Sequence, residues 1–369
     1  MAAQKEIVAL TGLRGVAASV VALYHLSALY STPGAAWHVP KGYLCVDIFF
    51  VLSGFVMATT YRHMFVWRVS FRDYRRFLYL RVARIWPLYL VATLLAIFIY
   101  HPARLPAQML LANLFMVQGW GIAQSLNVPL WSVSAEFAAY LLFPFLFLFL
   151  AGARKGRLAL TVAAAFLIIG ASAWINAHDP AINELLHRIY GAHENGILDL
   201  YAPYSGLPVA RAVGGFMLGV AVWFLSRHCR IAAVTNGNGF GLACAGLILV
   251  LTAAGSSDLV IYPLFPLLVL SLAEDKGLLA KILGSPVIRY LGVLSFAIYA
   301  LQGPVFAQLR PHILILAGAV PPGWSAPVTY GAALAGLLIA AMLAHYLIEK
   351  PSRLALRMRL RLRAEPAAA

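Results

Sequence analysis

The sequence predicts an all-α, polytopic transmembrane bundle of about ten spans, with both termini in the cytoplasm. Three observations predict it. Hydrophobic residues make up 62% of the 369 positions and charged residues 11%, against roughly 45–50% and 25% in soluble domains. The apolar residues, at a mean hydropathy of +0.82, gather into runs long enough to cross a bilayer as helices. Lysine and arginine then alternate from loop to loop, as the positive-inside rule requires.

In chain order the runs are 7–29, 43–61, 77–100, 128–150, 158–176, 207–226, 238–254, 257–273, 288–316 and 327–349. The pair 238–254 and 257–273 is joined by a very short turn, and the ninth run is broken by Pro304 and Pro311. The piece 107–118 is too short to span and reads as a surface or re-entrant helix. With the N-terminus inside, cytoplasmic segments collect 22 of the 28 basic residues, whereas Lys41, Arg104, Arg188 and Arg310 fall outside and Arg14 and Arg211 within spans. One transmembrane domain over 1–351 and a basic cytoplasmic tail over 352–369 follow.

The charge distribution excludes what the net charge of +15 suggests at first. Basic residues placed by topology, with a tail reading RLALRMRLRLR, point to membrane lipid rather than nucleic acid. The three cysteines, Cys45, Cys229 and Cys244, are scattered and lack metal-ligand spacing. No cleavable signal stands out. In the outer loop 177–206, His178, Asp179, Glu184, His187, His193, Glu194 and Asp199 show no enforced ligand spacing. That loop reads as a solvated lining for an acceptor cleft, and no metal is assigned.

The first span carries Arg14 and His25 and no other residue that ionises near neutral pH between Leu10 and Leu26. Eleven residues at ~100° each return a helix to within about 20° of its starting direction, so the two side chains share a face roughly 16 Å apart along the axis. Ionisable groups inside a span usually face a bundle interior or a wet cavity. His25, Asp47 and Glu136 fall at similar depth near the outer surface, on three different spans. A carboxylate beside an imidazole fixes its tautomer and raises its basicity, as a general base for a hydroxyl needs. Asp47 has a second reading as a cap or dipole contact at the start of its span. At the inner surface seven arginines lie between Arg62 and Arg84. Topology and anionic lipid account for some of them. Arg81 and Arg84, i,i+3 neighbours dipping into the third span at the level of Arg14, suggest a phosphate cradle, because guanidinium forks bind phosphate bidentately. Arg75 and Arg76 extend that cluster.

These stretches also carry a resemblance. LTGLRGVAASVVALYH (10–25), CVDIFFVLSGF (45–55), RRFLYLRVARIWPLY (75–89), LWSVSAEF (130–137), SFAIYALQGPV (295–305) and YLIEKP (346–351) resemble the integral-membrane acyltransferase-3 family. The motifs run in the family's order over nearly the whole chain. The resemblance implies transfer of an acyl group, often acetyl, from cytoplasmic acyl-CoA to hydroxyls of extracytoplasmic glycans or small glycosides. It implies no permanently bound cofactor. The family's essential Arg and His map onto Arg14 and His25, its Arg-x-x-Arg onto Arg81 and Arg84, and its Glu onto Glu136. Trp131, Ser134, Tyr299 and Gln302, in the motifs of the fourth and ninth spans, are the candidates for acceptor contact. The sequence departs from the family at Thr11 (usually Asp), Phe137 (often a second acid) and Gln302 (commonly His), which concentrates acid–base chemistry on His25 and Glu136.

The expected function is therefore an O-acyltransferase of the bacterial cytoplasmic (inner) membrane, acting on exopolysaccharide, O-antigen or a similar glycan. A proton-coupled secondary transporter is the competing class, since buried His and carboxylates also form proton relays. No internal hydropathy repeat supports it. A non-catalytic glycan-export component is a third possibility, and it requires that His25 be replaceable.

Overall fold

The computed structural model describes residues 6–29, 39–100, 104–152, 155–180, 184, 196–198, 205–228, 231, 234–235 and 237–355. Helices and turns, with no strand, make up these described residues. In chain order the helices are α1 (Val8–Leu29), α2 (Cys45–Phe65), α3 (Phe71–Tyr100), α4 (Ala107–Leu114), α5 (Trp131–Ala151), α6 (Lys155–His178), α7 (Leu207–Ser226), α8 (Asn238–Ala253), α9 (Asp258–Ile261), α10 (Leu264–Ser271), α11 (Leu278–Leu283), α12 (Pro286–Gly318) and α13 (Pro322–Ala344). A π-turn, His345–Glu349, extends α13. Helical winding continues to residue 355. The remainder of the 352–369 tail, Cys229, and His187, His193, Glu194 and Asp199 lie outside the described residues.

Among the described residues eight helices are long and apolar enough to cross a membrane. The other two expected spans, 238–254 and 257–273, fold as shorter apolar helices, Asn238–Ala253 and Asp258–Ser271. Counting this hairpin as two spans or as none leaves the parity of the remaining crossings unchanged. The segment 107–118 is short as expected. α4 is tied to the bundle by the buried Asn113, whose Nδ2 donates to Gln124 O at 2.8 Å and whose Oδ1 accepts from Leu126 N at 2.9 Å.

Two sub-bundles build the core. α1 packs on α12, which packs on α13, while α2 packs on α7 beside α5 and α6. Glycine makes both principal contacts possible. A Cβ on Gly15 would stand 2.4 Å from Gly292 N, and one on Gly54 would stand 2.1 Å from Phe216 O. The helices therefore meet backbone to backbone, which is how close packing is gained where no hydrophobic driving force operates between spans. Apolar side chains such as Leu95, Phe98 and Leu167 remain exposed on the outside of the bundle, a surface suited to lipid. Near the N-terminal face, Phe65, Phe77, Phe143 and Phe147 form an aromatic layer between α2, α3 and α5.

Each end of the bundle is tied by a carboxylate. On the N-terminal face Asp275 caps α1, accepting from Val8 N at 3.2 Å and Ala9 N at 2.8 Å; negative charge is favoured at a helix N-terminus. Glu6 on the same face binds Thr11 Oγ1 and Arg289, each at 2.7 Å. On the opposite face Asp258 accepts from Lys41 Nζ at 2.5 Å, Tyr43 OH at 3.0 Å and Leu198 N at 2.9 Å. That carboxylate holds residues 196–198 of the 177–206 loop against the bundle.

Candidate active site

Between the two sub-bundles lies a cavity of about 120 Å³. α1 contributes Arg14, α3 Arg81 and Arg84, α5 Glu136 and Tyr140, α2 Ser53 and Met57, α12 Ser295 and Tyr299, and the π-turn Glu349. Three arginines predicted at one depth thus meet on one space. Arg81 is buried, at 6% exposure. It donates to the Tyr61 hydroxyl, lies 4.7 Å over that ring and approaches Met57 Sδ at 3.6 Å. Its Nε has no hydrogen-bond partner. Among the described residues no carboxylate forms an ion pair with Arg14, Arg81 or Arg84. Unpaired guanidiniums are costly in a low-dielectric interior. Guanidinium forks of this kind suit oxyanions, which they can bind bidentately.

The cavity's own carboxylates limit that excess. Glu136 accepts from Ser53 Oγ and, at 2.5 Å, from Tyr140 OH. Its charge acts on Arg14, as does that of Glu349. Glu349 is held by His345 Nδ1 at 3.0 Å and Arg353 at 3.3 Å. Depth in the membrane predicts Glu136 beside His25; in the structure its helix face turns it to the arginine cavity, where it is bonded to Ser53 and Tyr140.

His25 is partly buried and lies outside the cavity lining. Its Nδ1 contacts Val21 O at 3.0 Å and Gln302 Oε1 at 3.3 Å. Gln302, completely buried, donates through Nε2 to Tyr299 O at 3.0 Å. Tyr299 lines the cavity, and its hydroxyl meets Ser132 Oγ at 2.7 Å and donates to Pro129 O at 2.9 Å. The chain Tyr299–Gln302–His25 therefore joins the far end of the cavity to the imidazole. No carboxylate contacts His25 among the described residues.

Asp47 corrects the expectation of a carboxylate paired with that ring. Both its oxygens are taken by Arg211, from Nε at 2.8 Å and Nη2 at 2.6 Å, and both residues are buried. The two begin their spans at the same end of the bundle, so each neutralises the other and neither remains for His25. Arg75 and Arg76 are exposed on α3 and do not reach the cavity. The proposed acceptor contacts divide. Tyr299 faces the cavity, Trp131 packs its ring 5.7 Å from Arg211, and Ser134, fully buried, accepts from Gly119 N at 3.0 Å. Sequence reasoning assigned no role to Ser53, Tyr61, Tyr140, His345 or Glu349. The signals were the i,i+4 spacing of Glu136 with Tyr140 and of His345 with Glu349, which places each pair on one helix face.

Among the described residues, an all-helical bundle with a cavity lined by three arginines, and an imidazole outside that cavity, defines the class as a polytopic integral-membrane protein. The acyltransferase-3 family model, described as an acyltransferase domain, matches residues 7–346. This chain belongs to that family. It is also similar to acyltransferase MdmB of Streptomyces mycarofaciens, at 36% identity over 157 residues, covering 37% of this chain and 38% of the relative. No solved structure matches.

Proposed function

We propose that this protein is an O-acyltransferase of the bacterial cytoplasmic membrane, moving an acetyl or other acyl group from cytoplasmic acyl-CoA to a hydroxyl of an extracytoplasmic or lipid-linked glycan or a glycoside. The observation that carries the reading is the convergence of Arg14, Arg81 and Arg84 on one cavity, without a carboxylate ion pair and with the Arg81 Nε unsatisfied. Acyl-CoA presents phosphate oxygens to such a site and trails a flexible arm. His25 stands eleven residues from Arg14 on α1, roughly 16 Å along the axis, a distance an extended pantetheine arm spans.

In this reading the donor's phosphates rest on the arginines and its thioester reaches the His25 end of the bundle. The imidazole accepts the proton of the acceptor hydroxyl as that oxygen attacks the thioester carbonyl carbon. The tetrahedral adduct collapses, the C–S bond breaks, and the proton passes from His25 to the departing sulfur. Positioned general bases contribute about 10²–10⁴-fold. Glu136 and Glu349 moderate the arginine charge so that the product CoA can leave. Mass spectrometry of surface glycan from cells with and without the protein tests the reading. An acyl mass increment present only with the protein, and absent with His25→Ala, is expected. Identical glycan in both strains would reject a glycan acceptor.

A further inference from the structure

Gln302 stands where its family motif led to an expectation of acceptor contact, yet its side chain has no exposed surface. Both of its amide atoms are committed. Nε2 donates to the Tyr299 carbonyl at 3.0 Å, which requires that Oε1 be the atom turned to His25 at 3.3 Å. An amide oxygen only accepts. The second partner of His25 Nδ1, the Val21 carbonyl at 3.0 Å, only accepts as well. Two acceptors converge on one ring nitrogen, so that nitrogen carries the proton. A neutral imidazole protonated on Nδ1 has its free lone pair on Nε2. Among the described residues Nε2 has no hydrogen-bond partner, and His25 is only partly buried.

We infer that Gln302 is a positioning residue for His25: with the Val21 carbonyl it holds the imidazole in the Nδ1–H tautomer and aims a bare Nε2 at the acceptor hydroxyl. A neutral amide thereby does the orienting work that the sequence had led one to expect from a carboxylate. The chain Tyr299–Gln302–His25 also fixes ring rotation relative to the cavity wall, because Tyr299 lines the cavity. This inference rests on the proposal that His25 is the general base.

The test is spectroscopic and needs no variant to begin. Protein labelled with ¹⁵N-histidine is reconstituted in lipid vesicles, and the His25 signals are identified as those missing from the His25→Ala protein. The expected result is a protonated Nδ1 and an unprotonated Nε2. Gln302→Met, close in volume and without an acceptor, should yield a mixture of tautomers. It should also lower kcat for acyl transfer by about threefold to tenfold, the range of one neutral hydrogen bond, with KM for the acceptor little changed. An Nε2–H tautomer in the unmodified protein would overturn the inference. So would a raised acceptor KM with kcat and tautomer intact, which would make Gln302 an acceptor contact, or a loss of kcat with no change in the ring signals. These failures differ from failure of the base proposal, in which His25→Ala transfers acyl groups normally whatever the tautomer.

Discussion

Two groups of arginines lie within the same bundle and are treated in opposite ways. Arg211 is enclosed, with both oxygens of Asp47 on its guanidinium and the Trp131 ring 5.7 Å away. Arg14, Arg81 and Arg84 share a cavity whose two carboxylates form no ion pair with them. The first arrangement is complete without a ligand and reads as architecture, pinning α2 to α7. The second leaves cationic forks in a poorly solvated space without a carboxylate ion pair, which is the feature on which the proposed donor site rests. Burial of an arginine in a membrane protein therefore says little by itself. What separates scaffold from site is whether the partner is already supplied by the chain.

The largest effect should come from breaking the enclosed pair. Asp47→Ala leaves Arg211 buried and uncompensated, a loss of about 3–5 kcal/mol, and should sharply reduce the yield of monodisperse protein from membranes. Replacing both partners by apolar residues, Asp47→Leu with Arg211→Met, should restore the fold and retain acyl transfer. A well-folded double variant lacking activity would move the pair from architecture to chemistry.

On the open side of the comparison, His25→Ala should lower transfer by about 10²–10⁴-fold while the protein accumulates normally. Acyl release measured in isolated membranes, normalised to protein, checks this. Near-normal rates would remove His25 as the base. Arg81→Ala and Arg84→Ala should each weaken acyl-CoA binding by roughly ten- to a hundredfold, since charge-assisted hydrogen bonds contribute about 1.5–3 kcal/mol. Calorimetry on the purified variants provides the dissociation constant. An unchanged value would return these arginines to topology and lipid contact.

The smallest effect belongs to the N-terminal face. Hydrogen bonding from Thr11 and the Arg289 guanidinium hold the Glu6 carboxyl below its ordinary range. A depressed carboxyl contributes stability above its unfolded pKa and loses it as pH falls through the folded value. The stability advantage of the unmodified protein over Glu6→Gln should therefore be modest at neutral pH and be lost as pH falls through the lowered folded value. Thermal unfolding across that fall in pH measures it, and a constant difference would remove Glu6 as the titrating group.

The sequence made the helical membrane class legible because composition and run length report directly on the solvent a chain is built for. It also brought Arg14, Arg81 and Arg84 to one level, since rise per residue and topology fix depth. Rotation about each helix axis was harder to read. A span that is apolar nearly all round offers no polar face to mark its phase, so Asp47 and Glu136 were placed beside His25 by depth alone. Their neighbours are Arg211 in one case and Ser53 with Tyr140 in the other. Arg211 was nonetheless a recoverable partner. It and Asp47 begin their spans from the same end of the bundle, and an intramembrane charge calls for its opposite. Glu349 and His345 meet at 3.0 Å with the i,i+4 spacing of one helix face, but hydropathy gives no sign that this face turns Glu349 to the cavity.

The central claim is that donor and acceptor reach one site from opposite sides and that only the acyl group crosses. The direct measurement uses vesicles in which the protein has a single orientation, selected by protease access to the basic C-terminal tail. Membrane-impermeant acyl-CoA and acceptor are then supplied on chosen sides. Product should form with acyl-CoA on the tail side and acceptor on the other, and fail when the two are exchanged. Efficient transfer with both substrates on the tail side, and none across the membrane, would contradict the account.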